Sequence, residues 1–454
     1  VPVAQRRWVL FACILASSMA FVDGSALTVA LPALRDDFGA SFATVQWILN
    51  GYVLALAALT MVGGALADVY GKDRILMIGC ALFGVTSAIC AYAPTAEILI
   101  LARVGQGIAA ALLTPASLAL IGAVYPKEER NRAIGVWAAA SALTTAGGPV
   151  LGGWLTESFG WQAIFLINPP LALVAVLVLL RFAPRQVLEH RRFDLVGALL
   201  LATGLALLAF AVSMIAPSEA DHSRAANSGT LLPVMIFTAS VFALGAFWWW
   251  QTKAKEPMAP PHLFRHMSFA GLNIATVFLY FALSVMFFVL PFRLIETYEL
   301  SATTAGLLFL PFTLSVGFLS QWFGGLADRL GVKPMLIAGS LLAALGYGLF
   351  LIKTQSIVVS VVMPMSVLGI AFAIIVAPLT AAVMSSVSDR DEALASGINN
   401  TASRIAQMLG VALAAAVAGL DVGYDLAMMI AAVFSVLSAI VIILMVRTEA
   451  TQSA

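Results

Sequence analysis

Two ionisable residues stand where their chemistry is hardest to support: Asp23, within the apolar run Trp8 to Pro32, and Arg103, within a second run from 97 to 124. At 1.5 Å per residue, Asp23 lies about 15 residues and roughly 22 Å into a first helix, and it is the only acid placed well inside an apolar span. Holding an ionised carboxylate there costs several kcal/mol unless it is paired or faces water, so binding a proton is the cheaper state. Arg103 enters from the opposite face to a depth of about 9 Å, and Asp23 is roughly 12–15 Å from that same face. A guanidinium close to Asp23 keeps the carboxylate ionised, and one that moves away lets it take a proton, so a rocking motion would convert conformation into proton affinity. A permanent ion pair for Asp23 and a packing strut for Arg103 are the structural alternatives.

The elements that must hold these groups are membrane helices. The chain has 454 residues, of which 61% are hydrophobic and 10% charged, with a mean hydropathy of +1.00. Such a composition cannot be buried inside one water-soluble core, so the solvent is lipid. One crossing takes about 20 apolar residues. Fourteen spans are expected, at about 8–33, 43–66, 75–93, 97–124, 132–156, 161–182, 195–216, 231–252, 269–293, 303–326, 335–352, 357–384, 397–420 and 425–446. The first of these follows Arg6 and Arg7, is too long for the apolar core of a signal peptide and lacks a clear cleavage site, so a retained first helix is expected. A net charge of +1 excludes the basic footprint of a nucleic-acid binder. Cys13, Cys80 and Cys90 fall in apolar stretches and read as small hydrophobes, and His190, His222, His262 and His266 lie in polar breaks, so neither disulfides, a metal site nor an organic cofactor is expected. No HExxH, nucleophile elbow, paired intramembrane carboxylates or carbonyl filter sequence is present, which argues against an enzyme or a channel.

The positive charges fix an orientation. With the N-terminus inside, eighteen Lys and Arg fall in inner loops and four (Arg35, Arg224, Arg293 and Lys353) in outer ones, leaving only Arg103 and Arg404 within spans. Both termini are therefore expected in the cytoplasm. A shift of 260 positions lays Leu66-Ala67-Asp68 and Gly71 on Leu326-Ala327-Asp328 and Gly331, and Glu129-Arg130 with Ala133 on Asp389-Arg390 with Ala393. One offset joining two separate loops pairs spans one to six with spans nine to fourteen as parallel halves. The expected organisation is a six-helix bundle over 1–182, linkers with two inserted helices over 183–268, and a second six-helix bundle over 269–454.

Small residues and loop residues are candidates for conformational exchange. Gly148 and Gly152 stand four apart on one helix face, allowing close backbone approach, and Pro149 loosens the local hydrogen bonding, so this seam could open and close. Gly64 would let helices approach, Gly71 would permit a tight turn, and Asp68 could accept from backbone N–H groups or pair with a cytoplasmic arginine such as Arg132. Asp68 and its repeat mate Asp328 are thus candidate latches, with simple topological anchoring as the plainer reading. Trp47, Asn50, Gln106, Trp137, Tyr280, Phe281, Phe309 and Gln407 are candidates for a cavity that binds amphiphiles by area and stacking, although aromatics at such positions commonly face lipid or core.

Several of these residues resemble motifs of the major facilitator superfamily. Gly64-Ala65-Leu66-Ala67-Asp68-Val69-Tyr70-Gly71-Lys72-Asp73-Arg74 resembles its loop two-to-three signature, with a degenerate copy from Gly325 to Lys333. Arg103 with Gln106-Gly107 resembles the fourth-helix motif, and Gly148-Pro149 with Gly152-Gly153 the fifth-helix motif associated with antiporters. Asp23 followed by Val29-Ala30-Leu31-Pro32, and Trp161 to Pro170, resemble motifs of the fourteen-helix drug/proton antiporter branch. This sequence departs from the pattern at Thr28, where asparagine is usual, and at Asp73, an acid in a normally basic run. The resemblance implies an all-α major facilitator fold of two six-helix bundles plus two inserted helices, with the fifth-helix glycines sealing the outer side against leak. It implies proton-driven export of small amphiphilic or drug-like compounds across a bacterial inner membrane by a monomer that needs only a proton gradient. The alternative on the same fold is a carrier for a specific lipid, natural product or organic anion.

Overall fold

The computed structural model describes residues 2–184, 194–214, 231–255, 257, 259–354, 356–388, 392–420 and 422–447, and the side chains of Asp68, Arg132 and Asp328 lie outside the described residues. The regular elements are helical: α1 (Val3–Phe38), α2 (Phe42–Tyr70), α3 (Lys72–Ala91), α4 (Ala96–Val124), α5 (Lys127–Phe159), α6 (Gln162–Leu166), α7 (Asn168–Phe182), α8 (Leu195–Ser213), α9 (Leu231–Gln251), α10 (Met267–Phe292), α11 (Ala302–Leu307), α12 (Leu310–Leu330), α13 (Val332–Leu349), α14 (Met363–Ser385), α15 (Glu392–Ala418) and α16 (Gly423–Met445). Twelve helices among the described residues are long and apolar enough to cross a membrane. The expected count of fourteen goes beyond these by α5 and α8, which form helices where spans five and seven were expected.

Local chemistry sets the breaks. The Ser41, Thr95 and Ser301 side chains cap α2, α4 and α11 by accepting the N–H three residues on, satisfying one orphan donor at each helix start. Gly71 joins α2 to α3 at φ 99°, and its repeat mate Gly331 joins α12 to α13 at φ 87°. Only glycine takes this conformation without strain, so the repeat read in two loops recurs as one backbone device. Asp73 is buried in the first turn of α3, where a helix N-terminus favours a negative charge. This gives the departure at that position a structural account.

The helices pair twice in the same pattern. Helix α1 packs on α5 and α7, α2 on α4, and α3 on α4 and α7; correspondingly α10 packs on α15 and α16, α12 on α14, and α13 on α14 and α16. Close backbone approach between α2 and α4 occurs at Gly63 and Gly107, where an added Cβ would stand 2.1 Å from the Ala111 carbonyl oxygen and 2.3 Å from that of Tyr52. Gly64, the residue expected to provide it, has only ordinary contact with Pro115 at 3.6 Å. A one-residue difference rotates a helical position by about 100°, which moves the small site to the neighbouring face.

Helices α8 and α9 pack on each other, and α8 packs on α2 and α15, one from each set. Leu231, Phe237, Phe242 and Trp249 of α9 remain exposed, an apolar surface suited to lipid rather than water. Asp194 anchors the pair: its carboxylate accepts from Gly197 N at 2.8 Å, Trp250 Nε1 at 2.6 Å and Gln251 Nε2 at 2.7 Å. Replacing Asp194 by Ala strands three donors, two of them on half-buried or buried side chains, and is expected to cost about 1–3 kcal/mol. Thermal unfolding of the purified protein checks this, with Asp194→Asn expected to lose less.

Candidate functional site

The structure brings Asp23 of α1 and Arg103 of α4 into a fully buried ion pair. Arg103 Nη1 donates to Asp23 Oδ2 and, at 2.7 Å, to Gln106 Oε1, while Nε donates to the Ile48 carbonyl of α2 at 3.1 Å. Its guanidinium lies 4.3 Å from the centre of the Tyr52 ring. Gln106, one turn along α4, closes the triad by donating to Asp23 Oδ1 at 2.9 Å and to Ser87 Oγ at 3.2 Å. Ser87 in turn donates to the Phe165 carbonyl and accepts from Asn168 Nδ2, both at 2.9 Å. A carboxylate deep in the helices is thus neutralised, hydrogen-bonded on both oxygens and tied to α2, α3, α4, α6 and α7. Removing one partner of such a pair leaves an uncompensated charge and costs about 3–5 kcal/mol.

Both charges belong to the first set of helices. Tilting the two sets as rigid units therefore leaves the Asp23–Arg103 distance unchanged, contrary to the simplest expectation from sequence. Separation needs a movement of α1, α2 or α4 within the set. The bond to Ile48 supplies a route, because α2 also packs on α15 of the other set.

The two sets meet at the end where α1 finishes and α2 begins, which we call the distal end. Asn50 Nδ2 of α2 donates to the Met408 carbonyl of α15 at 3.1 Å. Arg35 pairs with Glu296 at 3.3 Å and lies over the Phe42 and Phe292 rings. The Glu157 carboxylate accepts from Thr303 N at 3.0 Å. Between these points α5 and α11 touch through small residues: a Cβ on Gly153 would stand 2.2 Å from the Ala302 carbonyl oxygen, and one on Gly306 would stand 2.3 Å from that of Pro149. Gly148 and Gly152 face the other way, toward Ser25 and Ala26 of α1. The fifth-helix glycines therefore divide into a packing face within one set and a seam between sets, and the seam belongs to Gly153 and Pro149. Gly306, Glu157 and Thr303 were not singled out in the sequence, where no spacing rule joins residues about 150 positions apart.

The cavity candidates separate in the same way. Gln106 is buried in the triad, Asn50 in the seam, and Phe309 in the core of the second set. Trp47 packs toward Phe210 of α8 with ring centroids 6.2 Å apart, and Phe281 stacks on Phe434 at 4.3 Å. None of these five presents itself as cavity lining in this conformation; packing across neighbouring helices, which one helix face does not reveal, has taken them. Trp137, Tyr280 and Gln407 keep partial exposure, Trp137 while donating to Ser17 Oγ at 3.0 Å. Arg74 is exposed at the start of α3, beside the half-buried Lys72.

Membrane-length helices paired twice on one scheme, with a buried carboxylate and guanidinium in the first set, are the architecture of a polytopic membrane carrier. The Major Facilitator Superfamily model matches residues 13–250 and 272–454, and the chain belongs to that superfamily of transporters. It is 32% identical over 398 residues to the multidrug resistance protein Stp of Mycobacterium tuberculosis, covering 87% of this chain and 72% of that one. It is 33% identical over 414 residues to the lincomycin resistance protein of Streptomyces lincolnensis, covering 90% and 84%. A crystal structure of a bacterial homologue of the human lysosomal transporter Spinster, inward-facing and occupied, superposes with a TM-score of 0.70 at 18% identity, over 99% of this chain and 98% of that one.

Two outcomes follow from the seam. Gly148→Leu is expected to reduce the yield of folded protein, because its side chain enters α1, whereas Gly153→Leu is expected to leave folding largely intact and hold the sets apart at the distal end; gel filtration and a cross-seam distance measurement between spin labels separate the two. Hydrogen bonds from the Thr303 hydroxyl and N–H and from the Ser301 hydroxyl hold the Glu157 carboxyl below the usual carboxylate range. A lowered value means that this contact favours the closed seam at neutral pH and is lost as pH falls through that value. Acidification is therefore expected to lengthen the same distance in the native chain, and Glu157→Gln to remove the pH dependence.

Proposed function

We propose that the protein is a proton-coupled exporter of small amphiphilic or drug-like compounds, working by alternating access in a bacterial cytoplasmic membrane with both termini inside. The reading takes the chain as two six-helix bundles, 1–182 and 269–454, with an inserted pair of helices between them that brings the span count to fourteen. It requires a proton gradient and no cofactor. The observation that carries it is the buried Asp23–Arg103–Gln106 triad. Within it Asp23 has two alternatives of low energy in a low-dielectric setting: ionised beside the guanidinium, or protonated when the guanidinium is drawn away. Resistance proteins among the relatives support drug-like cargo, and the eighteen-to-four charge bias of the loops supports the orientation.

In the proposed cycle the distal seam is closed while cargo enters from the cytoplasmic side. Opening the seam moves α2 away from α15, and the Ile48 carbonyl takes Arg103 with it. Asp23 then binds a proton from the outer side. Return of α2 brings the guanidinium back and releases the proton inward. Binding energy from cargo and proton is realised in different conformations, the condition for coupling two fluxes. The latch roles of Asp68, Arg132 and Asp328 belong to this proposal as stabilisers of one closed state.

Asp23→Asn is expected to abolish uphill export in proteoliposomes with an imposed pH gradient, a fall of at least about tenfold, equivalent to some 1.4 kcal/mol of lost coupling. Energy-independent exchange of labelled for unlabelled cargo is expected to persist, which distinguishes lost coupling from lost folding. Undiminished uphill export by that variant would refute the mechanism.

A further inference from the structure

Helix α8 docks the inserted pair by packing on α2 and α15, and α9 packs on α8. Where α9 passes the second set, a cavity of about 300 Å³ is left between them. Phe247 and Trp248 of α9, Ile274 and Val277 of α10, and Ile398 and Ile405 of α15 line it, and its surface is apolar. Asn273 also borders it, but its amide is already engaged, donating to the Phe269 carbonyl at 2.9 Å and accepting from Asn399 Nδ2 at 3.3 Å. Trp248 and Ile274 are exposed, so the cavity opens sideways to the hydrocarbon around the helices. Its α10 wall, Ala270 to Val277, lies about 5–15 Å below the start of that helix, the depth of acyl chains in one leaflet.

Water finds no polar partner in such a space. Left empty, its walls forfeit the dispersion contacts that hold helices together in lipid. A hydrocarbon chain supplies them.

The mouth of the cavity adds charge. The Ala259 N–H donates to Gln251 Oε1 at 2.9 Å, so the segment after α9 closes into a loop flanked by Trp248 and Ale259 of the cavity lining. Lys253 and Lys255 stand exposed on that loop. The short turn Leu263–Arg265 then divides its side chains: Leu263 is buried, Phe264 lines the cavity and packs edge to face on Trp248 at 5.3 Å, and Arg265 is exposed. Between Thr252 and His266 the sequence carries these three cations against one acid, Glu256. With Asp194, whose carboxylate bonds Trp250 and Gln251, the balance is still positive. A basic rim over an apolar slot is complementary to a lipid with an anionic headgroup.

We propose that this cavity binds one acyl chain of an anionic phospholipid, whose phosphate is held at the rim by Lys253, Lys255 and Arg265. The lipid is a resident part of the assembly rather than cargo: it fills the space between α9 and the second set and fastens the inserted pair there. In the orientation proposed above it comes from the cytoplasmic leaflet, and the site does not otherwise depend on export.

The test uses the full-length purified chain in phosphatidylcholine vesicles with a trace of phosphatidylglycerol or phosphatidylcholine that carries a diazirine midway along one acyl chain. Crosslinked peptides are read by mass spectrometry. The phosphatidylglycerol probe is expected to label residues 270–277 and 398–405 about tenfold more than the phosphatidylcholine probe. The combined variant Lys253→Gln, Lys255→Gln, Arg265→Gln is expected to bring that ratio to within about twofold of unity, with an unchanged gel-filtration profile. Ala402→Phe, which puts a ring into the cavity from α15, is expected to lower labelling there by both probes at least about fivefold, while labelling at the exposed Phe242 of α9 stays within about twofold. Equal labelling by the two probes in the native chain, a phosphatidylglycerol preference that survives in the combined variant, or cavity labelling that Ala402→Phe does not reduce overturns the assignment. Uphill export is measured on the same vesicles: cavity labelling without export supports the lipid site and removes the transport reading, and export without cavity labelling does the reverse.

Discussion

A charged carboxylate buried among membrane helices cannot stand alone, and the arrangement of the first set of helices follows from meeting that requirement at Asp23. Arg103 comes from α4, Gln106 from the next turn, Ile48 and Tyr52 from α2, Ser87 from α3, and Asn168 from α7. Each donor must arrive at hydrogen-bonding distance in a medium where an unmet one is costly. The triad therefore fixes how these helices cross, and it gives the carboxylate one arrangement in which it is ionised.

Small residues allow the second layer of organisation. Gly63 and Gly107 bring α2 and α4 together, Gly148 and Gly152 do the same for α5 and α1, and Gly153 with Gly306 brings the two sets into contact. In lipid, association between helices rests on close packing and interhelical hydrogen bonds, because hydrocarbon gives apolar faces no reason to avoid it. The seam is correspondingly modest: a few backbone contacts, one hydrogen bond at Asn50, an ion pair at Arg35 and a carboxylate at Glu157. The interior of each set is held far more extensively. That contrast is what a transporter needs, since the sets must part without coming apart themselves.

Much of the architecture was legible in the sequence because the signals are one-dimensional. Apolar runs of membrane length, Lys and Arg in alternate loops and a repeat at 260 positions depend only on order along the chain, and the matched glycine turns at Gly71 and Gly331 followed from the same offset. Asp23 and Arg103 were legible for a related reason: depth in a helix is a residue count, and two groups at similar depth in neighbouring spans can meet. Helix faces were harder. Gly64 in place of Gly63, and Gly148 in place of Gly153 as the seam residue, are errors of one to five positions that rotate a side chain to another neighbour. The aromatics Trp47, Phe281 and Phe309 looked like lining and proved to be packing, because composition does not say which of several adjacent helices a ring meets.

By itself, then, the amino-acid order determined that this is a membrane-helical carrier with an internal repeat, and which two ionisable residues its interior had to reconcile. Only the tertiary structure decided that both belong to one set of helices, that Gln106 serves the ion pair rather than the cavity, and that residues as distant as Pro149 and Gly306 form the seal. The physical reason is that burial in lipid is dictated span by span by local hydropathy, whereas partners across a seam are chosen by the angles at which whole helices cross.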